Sequence, residues 1–247
     1  MISLLAVAAF SFPKNLGRVN QDAILLPRLA GNGFLMAVAD GLGSYSGSEF
    51  ASSAAVTALA ECWRGASSVA NTLEEVRRVV ADSDSDDRVY EGASTTLTYC
   101  HISDSGVAVG HIGDCRLYVL RDGGLRQVTR DHTQYQLLLD EGIYSSKDIP
   151  RKAKSVLYSA IGRGINMRSD EIYINGHDAY DDSGELVIYI MSDGAHKAWH
   201  HRPRLSRNTL SSPAKFAAAL QDRISRLGAS DDCSLVVAKF RRAVFFE

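Results

Sequence analysis

Three places in this 247-residue chain read as one pattern: a strand, an aspartate, then a glycine or a second acid. They are Asp40-Gly41, Asp193-Gly194 and Asp231-Asp232. A carboxylate at a strand end followed by glycine lets side chain and backbone carbonyl face one point, the oxygen donor set that a hard cation such as Mg²⁺ or Mn²⁺ takes. A lone Asp-Gly is a common turn signal and by itself reads as a turn. Several strand-terminal aspartates, in a chain with no His or Cys at ligand spacing, shift the balance toward a carboxylate-lined cation site. Spacing along the chain does not show that they converge.

The elements that must position these acids follow from periodicity. Phe34 to Ala39 is an apolar run that suits a buried strand ending at Asp40, and Leu186 to Ile190 is a second, ending at Ser192-Asp193-Gly194. The spacing of Phe50, Ala54, Ala58, Leu59, Cys62 and Trp63 predicts a helix after Asp40, with Ser46 or Ser48 as N-cap. A second helix is expected from Asn71 to about Ala81, capped by Asn71 and ended by the acidic run Asp82 to Asp87. From Ala93 the pattern turns to strands, Thr95 to His101, Val107 to Ile112 and Leu117 to Arg121, with Asp104-Ser105-Gly106 and Asp122-Gly123-Gly124 as hairpin turns. A helical patch from Thr133 to Glu141 stops at Gly142, and a later helix is marked by Ser212, Pro213 and Gly228. The last strand runs from Ser234 to Phe240. Strands joined mainly by hairpins, with helices inserted between them, give an α+β layered domain with antiparallel sheets. Residues 1–247 read as one domain, with no linker and no internal repeat.

Composition sets outer bounds. Hydrophobic residues make up 45% of the chain, enough for a substantial core, and a net charge of −2 provides no general field for nucleic acid or anionic lipid. Cys62, Cys100, Cys115 and Cys233 form no C-x-x-C pair and read as reduced thiols of a cytoplasmic protein. Met1 to Phe10 is apolar, but it lacks a basic n-region, so a signal peptide is the weaker reading. No run approaches the roughly 20 apolar residues of a spanning helix, so neither a membrane nor nucleic acid is an expected partner.

A longer series of motifs sharpens this picture. Asn20-Gln21-Asp22, Val38-Ala39-Asp40-Gly41-Leu42-Gly43, Gly92-Ala93-Ser94-Thr95, Gly113-Asp114-Cys115-Arg116-Leu117-Tyr118, Gln127-Val128-Thr129-Arg130-Asp131-His132, Ser159-Ala160-Ile161-Gly162, Ser192-Asp193-Gly194 and Asp231-Asp232 occur in that order. The series resembles the motif ladder of the metal-dependent protein phosphatases of type 2C, in their compact bacterial form, from about Asn15 to Phe240. That resemblance implies a four-layer α-β-β-α sandwich, two antiparallel sheets flanked by antiparallel helix pairs, with metals at one end. It implies a protein serine/threonine phosphatase that uses a metal-bridged water or hydroxide at a binuclear Mg²⁺ or Mn²⁺ centre. By position, Asp40 resembles the carboxylate bridging two ions, Gly41 the carbonyl ligand of the second, and Asp193 and Asp232 the remaining ligands of the first. Asp22 matches the supporting acid of the first strand, and Asp114 matches the aspartate that holds a weaker third ion with Asp193. The implied partners are a phosphorylated Ser/Thr protein and a cognate Ser/Thr kinase, and the implied state is a monomer.

The chain departs from that pattern in four places. Gln21 stands where the family often has Glu. Gly17 stands where a phosphate-binding arginine is usual, and Arg18, one residue on, takes the phosphate-binding role by proximity. Leu42 replaces a histidine proposed as general acid in some members, which leaves leaving-group protonation to a metal-bound water. Ala195 to His200 replaces a usually acidic stretch, and its histidines read as surface loop residues. Three rival readings remain: a cysteine phosphatase, a dinucleotide module and a pseudophosphatase that only binds phosphoprotein. Cys115 and Cys233 lack the following five-residue loop and arginine of the first, and Gly41, Gly43 and Gly47 miss the G-x-G-x-x-G spacing of the second. A pure binding scaffold has no reason to keep mutually repelling buried carboxylates.

Overall fold

The structure is a computed structural model that describes residues 1–42, 47–63, 69–83 and 92–243. Its first part is β1 (Ile2–Phe12), β2 (Asp22–Ala30), β3 (Gly33–Leu42), α1 (Ser48–Cys62) and α2 (Val69–Ser83). A run of strands follows: β4 (Ser94–Thr95), β5 (Leu97–Ser103), β6 (Gly106–Ile112), β7 (Arg116–Arg121) and β8 (Gly124–Gln127). Then come α3 (Gln134–Asp140), β9 (Ile161–Gly162), β10 (Asp170–Asn175), α4 (Gly176–Ala179) and β11 (Glu185–Met191). The described chain closes with α5 (Asp193–His201), α6 (Arg207–Leu210), α7 (Pro213–Leu227) and β12 (Cys233–Arg242).

The strands form two antiparallel sheets, one ordered β1-β12-β11-β7-β8 and the other β10-β6-β5-β3-β4-β9, with β2 also paired to β3. Strand alternation sends successive side chains to opposite faces, and three cores result. Met36, Val38, Cys100 and Ile102 from one sheet meet Leu117, Ile188, Ile190 and Val236 from the other. Leu35, Ala37 and Ala39, the alternate residues of β3, pack instead under α1 and α2 against Ala55, Leu59, Leu73 and Val76. Tyr189, Leu235 and Val237 pack under α5 and α7 against Trp199, Phe216 and Leu220. This is the expected four-layer α-β-β-α sandwich. No helix among the described residues is long and apolar enough to cross a membrane.

Local signals held where they were strongest. The Thr133 side chain accepts from the Gln136 N–H at the start of α3, Pro213 opens α7, and Gly228 ends it at φ 78°. Asn71 does not cap α2 but lies inside it, since Val69 and Ala70 ahead of it are already helical. Ser48 is the first residue of α1, not its cap; Gly47 takes that position at φ 113°. The alternative cap Ser46, Gly43 of the Asp40 motif and the acidic run beyond residue 83 lie outside the described residues.

Candidate metal centre

Parity along β3 places its terminal acid. Because Met36 and Val38 face the opposite sheet, Asp40 falls on that same inter-sheet side, where the strand runs out and the sandwich opens. Its direct antiparallel partner is Asp22 of β2. Across the sandwich, the end of β11 lies beside the beginnings of β7 and β12, with Met191 opposite both Arg116 and Leu235. Asp193, Asp114 and the Asp231-Asp232 pair lie just outside those three strand ends. Five strand ends therefore deliver acids to one end of the molecule.

Two glycines let the segments close. The Gly41 N–H donates to the Gln21 carbonyl at 3.0 Å, and a Cβ there would sit 2.3 Å from the Ser48 carbonyl oxygen. At Gly194 a Cβ would come within 2.2 Å of the Asp232 carbonyl oxygen. The Ser192 N–H donates to the Ser234 carbonyl at 3.0 Å and the Ser234 N–H to Ser192 Oγ at 2.9 Å, which seals the start of α5 against the start of β12.

The acids are buried and repel one another. Burial pushes the Asp22 carboxyl up to about 7, against a partial offset from the nearby Ser234 and Ser192 hydroxyls, and the charges of Asp232 and Asp193 add to it. Asp40 is held well above the carboxylate range by burial first and then by Asp22, Asp193, Asp114 and Asp231. Burial and the charge of Asp193 take Asp114 to about 7, although Lys197 and Arg116 pull it back. Both oxygens of Asp22 and Oδ1 of Asp193 are buried without a hydrogen-bond partner. The hydroxyls beside Asp22 donate elsewhere, Ser234 Oγ to Ser11 Oγ at 2.8 Å and Ser192 Oγ to the Asp232 carbonyl at 3.4 Å. Like charges about 4 Å apart repel by about 4 kcal/mol at an effective dielectric near 20, more than one neutral hydrogen bond returns. Hard oxygen donors that are desolvated, unpartnered and mutually repelling fit divalent cations. As they stand, no three Asp, Glu, His or Cys side chains among the described residues are close enough together to hold an ion. The cluster is joined by charge and by strand ends.

Of the residues singled out from the sequence, Asp22, Asp40, Gly41, Asp114 and Asp193 are brought to this end. Asp232 is engaged differently: Oδ1 accepts from the Lys14 N–H and Oδ2 from the Gln21 N–H, each at 2.7 Å. Both oxygens are thus spent on strapping the chain ahead of β2 to the start of β12. Its neighbour Asp231 is the acid whose charge bears on Asp40 and Asp193. Arg18 lies exposed in the turn before β2, with a guanidinium N–H donating to Gln21 Oε1 at 3.2 Å.

Several functional neighbours went unread in the sequence. Arg116 makes a bidentate pair with Asp131, at 2.8 and 2.6 Å, and so pins the loop that carries Asp114. The buried His132 accepts the Gly113 N–H at Nδ1, 3.2 Å away, one residue from Asp114. His196 and His200 lie on α5, not on a surface loop; His196 is buried and its Nε2 donates to the Asp114 carbonyl at 3.1 Å. Lys197, one turn after Asp193, donates to Asp193 Oδ2. Only that last pair carried a readable signal, the i,i+4 spacing of opposite charges. The buried thiols of Cys115 and Cys233 are pushed up by burial, Cys233 to about 12, which leaves no thiolate for a cysteine route.

A sandwich of this topology with acids gathered at one end defines a class, and comparison with known proteins gives the family. Residues 15–145 match the family Protein phosphatase 2C, and the chain belongs to it. The serine/threonine protein phosphatase PstP of Mycobacterium tuberculosis is 31% identical over 211 residues, which are 83% of this chain and 40% of that protein. The serine/threonine phosphatase stp of Listeria monocytogenes is 29% identical over 139 residues, 52% of this chain and 55% of that protein. The chain thus spans about half the length of these relatives. Among solved structures, that of Mycobacterium tuberculosis PstP/Ppp superposes with a TM-score of 0.74 at 27% identity, covering 96% of this chain and 98% of that one. A PstP catalytic domain in complex with 2 manganese ions gives 0.72 at 25% identity, covering 98% and 100%.

Proposed function

We propose that this chain is a protein serine/threonine phosphatase whose acid cluster holds two divalent cations, Mn²⁺ or Mg²⁺. The observation that carries the proposal is the buried, unpartnered Asp22 carboxylate opposite Asp40, in a cluster whose acids raise one another. Family membership and the two manganese ions of the PstP catalytic domain support it. When bound, such ions lower the pKa of water and draw charge from phosphate oxygens, the two demands that make uncatalysed phosphomonoester hydrolysis so slow.

Asp40, the Gly41 carbonyl, Asp193 and Asp231 are the residues we assign as ligands, with Asp22 supporting Asp40 from the neighbouring strand. Asp231 replaces Asp232 in this set because Asp232 has both oxygens engaged by backbone N–H groups. Arg18 is exposed beside Gln21, free to meet an incoming phosphate. The Arg116–Asp131 pair and His132 hold the Asp114 loop in place. We read residues 1–247 as one catalytic domain, a monomer acting in the cytoplasm on phosphoproteins made by a partner Ser/Thr kinase; the free cysteines suit that compartment. The cluster of unpaired acids argues against the pseudophosphatase alternative.

The test is phosphate release from p-nitrophenyl phosphate and from a phosphothreonine peptide with Mn²⁺ or Mg²⁺. EDTA is expected to abolish turnover, and Asp40→Asn or Asp193→Asn to cut it by roughly 10³-fold, about 4 kcal/mol of transition-state stabilisation. Full turnover in EDTA, or an inert wild-type protein that still binds the phosphopeptide, would overturn the reading.

A further inference from the structure

Lys197 is out of keeping with a site that gathers anions to hold cations. It stands on α5 one turn after Asp193, and its ammonium donates to Asp193 Oδ2. The adjacent His196 donates to the Asp114 carbonyl at 3.1 Å, which holds this turn of α5 against the Asp114 loop. The turn of α5 that carries the ammonium is thus tied both to Asp193 and to the Asp114 loop. The charge of the ammonium is felt at Asp114, where it opposes the effect of burial.

We propose that the Lys197 ammonium is a tethered cation that takes the place of a third divalent ion between Asp114 and Asp193. The chain then binds two divalent ions and excludes a third from that position. This rests on the two-ion reading above. An ammonium supplies donors and no acceptor, so it satisfies a carboxylate oxygen that an ion would otherwise claim. Its charge also repels any divalent ion approaching the same acids. The lysine is anchored on a helix, whereas a weakly held ion exchanges with solvent, so the charge beside Asp114 becomes independent of metal concentration.

The experiment counts Mn²⁺ bound per chain, by equilibrium dialysis with elemental analysis and by calorimetric titration. It compares the wild type with Lys197→Met and Lys197→Asp, each checked for its fold by circular dichroism. The wild type is expected to take up two ions and to show no third event at millimolar Mn²⁺. Lys197→Met frees Asp114 and Asp193 and gains a third, weak site; Lys197→Asp adds a carboxylate one turn from Asp193 and binds that ion about tenfold more tightly than Lys197→Met. A third ion on the wild type with the same affinity as on the variants would overturn the inference, and so would two folded variants that both stop at two. A wild type that binds no ion would overturn the two-ion reading itself, a result distinct from either.

Discussion

One strand, β11, carries an acid near each end, and the two are treated in opposite ways. At its start, burial pushes the Glu185 carboxyl up, but hydrogen bonds from Lys239, at 2.6 Å, and from Arg241 outweigh burial and hold it below the usual range. Asp181 nearby is likewise lowered against burial, accepting from Ser183 Oγ at 2.7 Å and from the Glu185 N–H at 2.8 Å. Just past the other end of the strand, Asp193 is raised, and across the sandwich Asp22 and Asp40 are raised with it. A cavity of about 960 Å³ opens at the Glu185 end, lined by Arg121, Tyr180, Glu185 and Lys239 among others. The acids at the start of β11 are lowered by their partners; those gathered past its other end are raised by burial and by one another, although Asp193 keeps one partner, Lys197.

That contrast can be broken in three graded ways. The largest effect separates adjacent residues: Asp231→Asn is expected to lose activity by roughly 10³-fold and to weaken Mn²⁺ binding. Asp232→Asn keeps one acceptor oxygen for the strap and loses about tenfold or less, with a lower melting temperature. Steady-state kinetics and calorimetry on the two variants decide between them, and equal losses would erase the distinction.

A smaller effect concerns a third kind of buried ionisable group, one held neutral. His111 is enclosed between Thr98 Oγ1 at 2.8 Å and the Arg130 carbonyl at 2.9 Å, and burial drives its pKa down to about 3. Below about 6.5 the unfolded chain takes up a proton that the folded chain refuses, so stability present above that pH declines as pH falls toward 3. The expected contribution to the slope is about 1.4 kcal/mol per pH unit, read from denaturant unfolding at several pH values. His111→Gln should flatten it. The smallest effect is at the far end: Glu185→Gln is expected to cost about 1 kcal/mol of stability and leave turnover unchanged. A large loss of turnover there would mean that the two ends are not separate.

The fold was legible wherever local rules decide it. Turn chemistry gave the β7–β8 hairpin, with Asp122 at φ 50° and Gly123 at φ 75°, and the caps of α3 and α7 were written in Thr133, Pro213 and Gly228. The aspartates marked out by their position beside strands, Asp40, Asp193 and Asp231, are acids that the fold brings to one end of the molecule. What could not be read depends on contacts between distant segments. Asp231 and Asp232 are equivalent by pattern, and the choice between them is made by two backbone N–H groups more than 200 residues away in the chain. The clamp of His196 on Asp114 spans 82 residues and turns on how α5 sits against a loop of the other half of the chain. Asn71, a capping residue by type, lies within α2, whose apolar side, Val69, Leu73 and Val76, packs in the helix-side core.

The most direct test of the central claim is thermal unfolding with and without Mn²⁺, in the wild type and in Asp40→Asn. If the acids at this end are tolerated through bound cations, Mn²⁺ at about a hundred times its dissociation constant should stabilise the wild type by about 2.7 kcal/mol and leave Asp40→Asn nearly unmoved. Identical melting of the wild type in Mn²⁺ and in EDTA would contradict it.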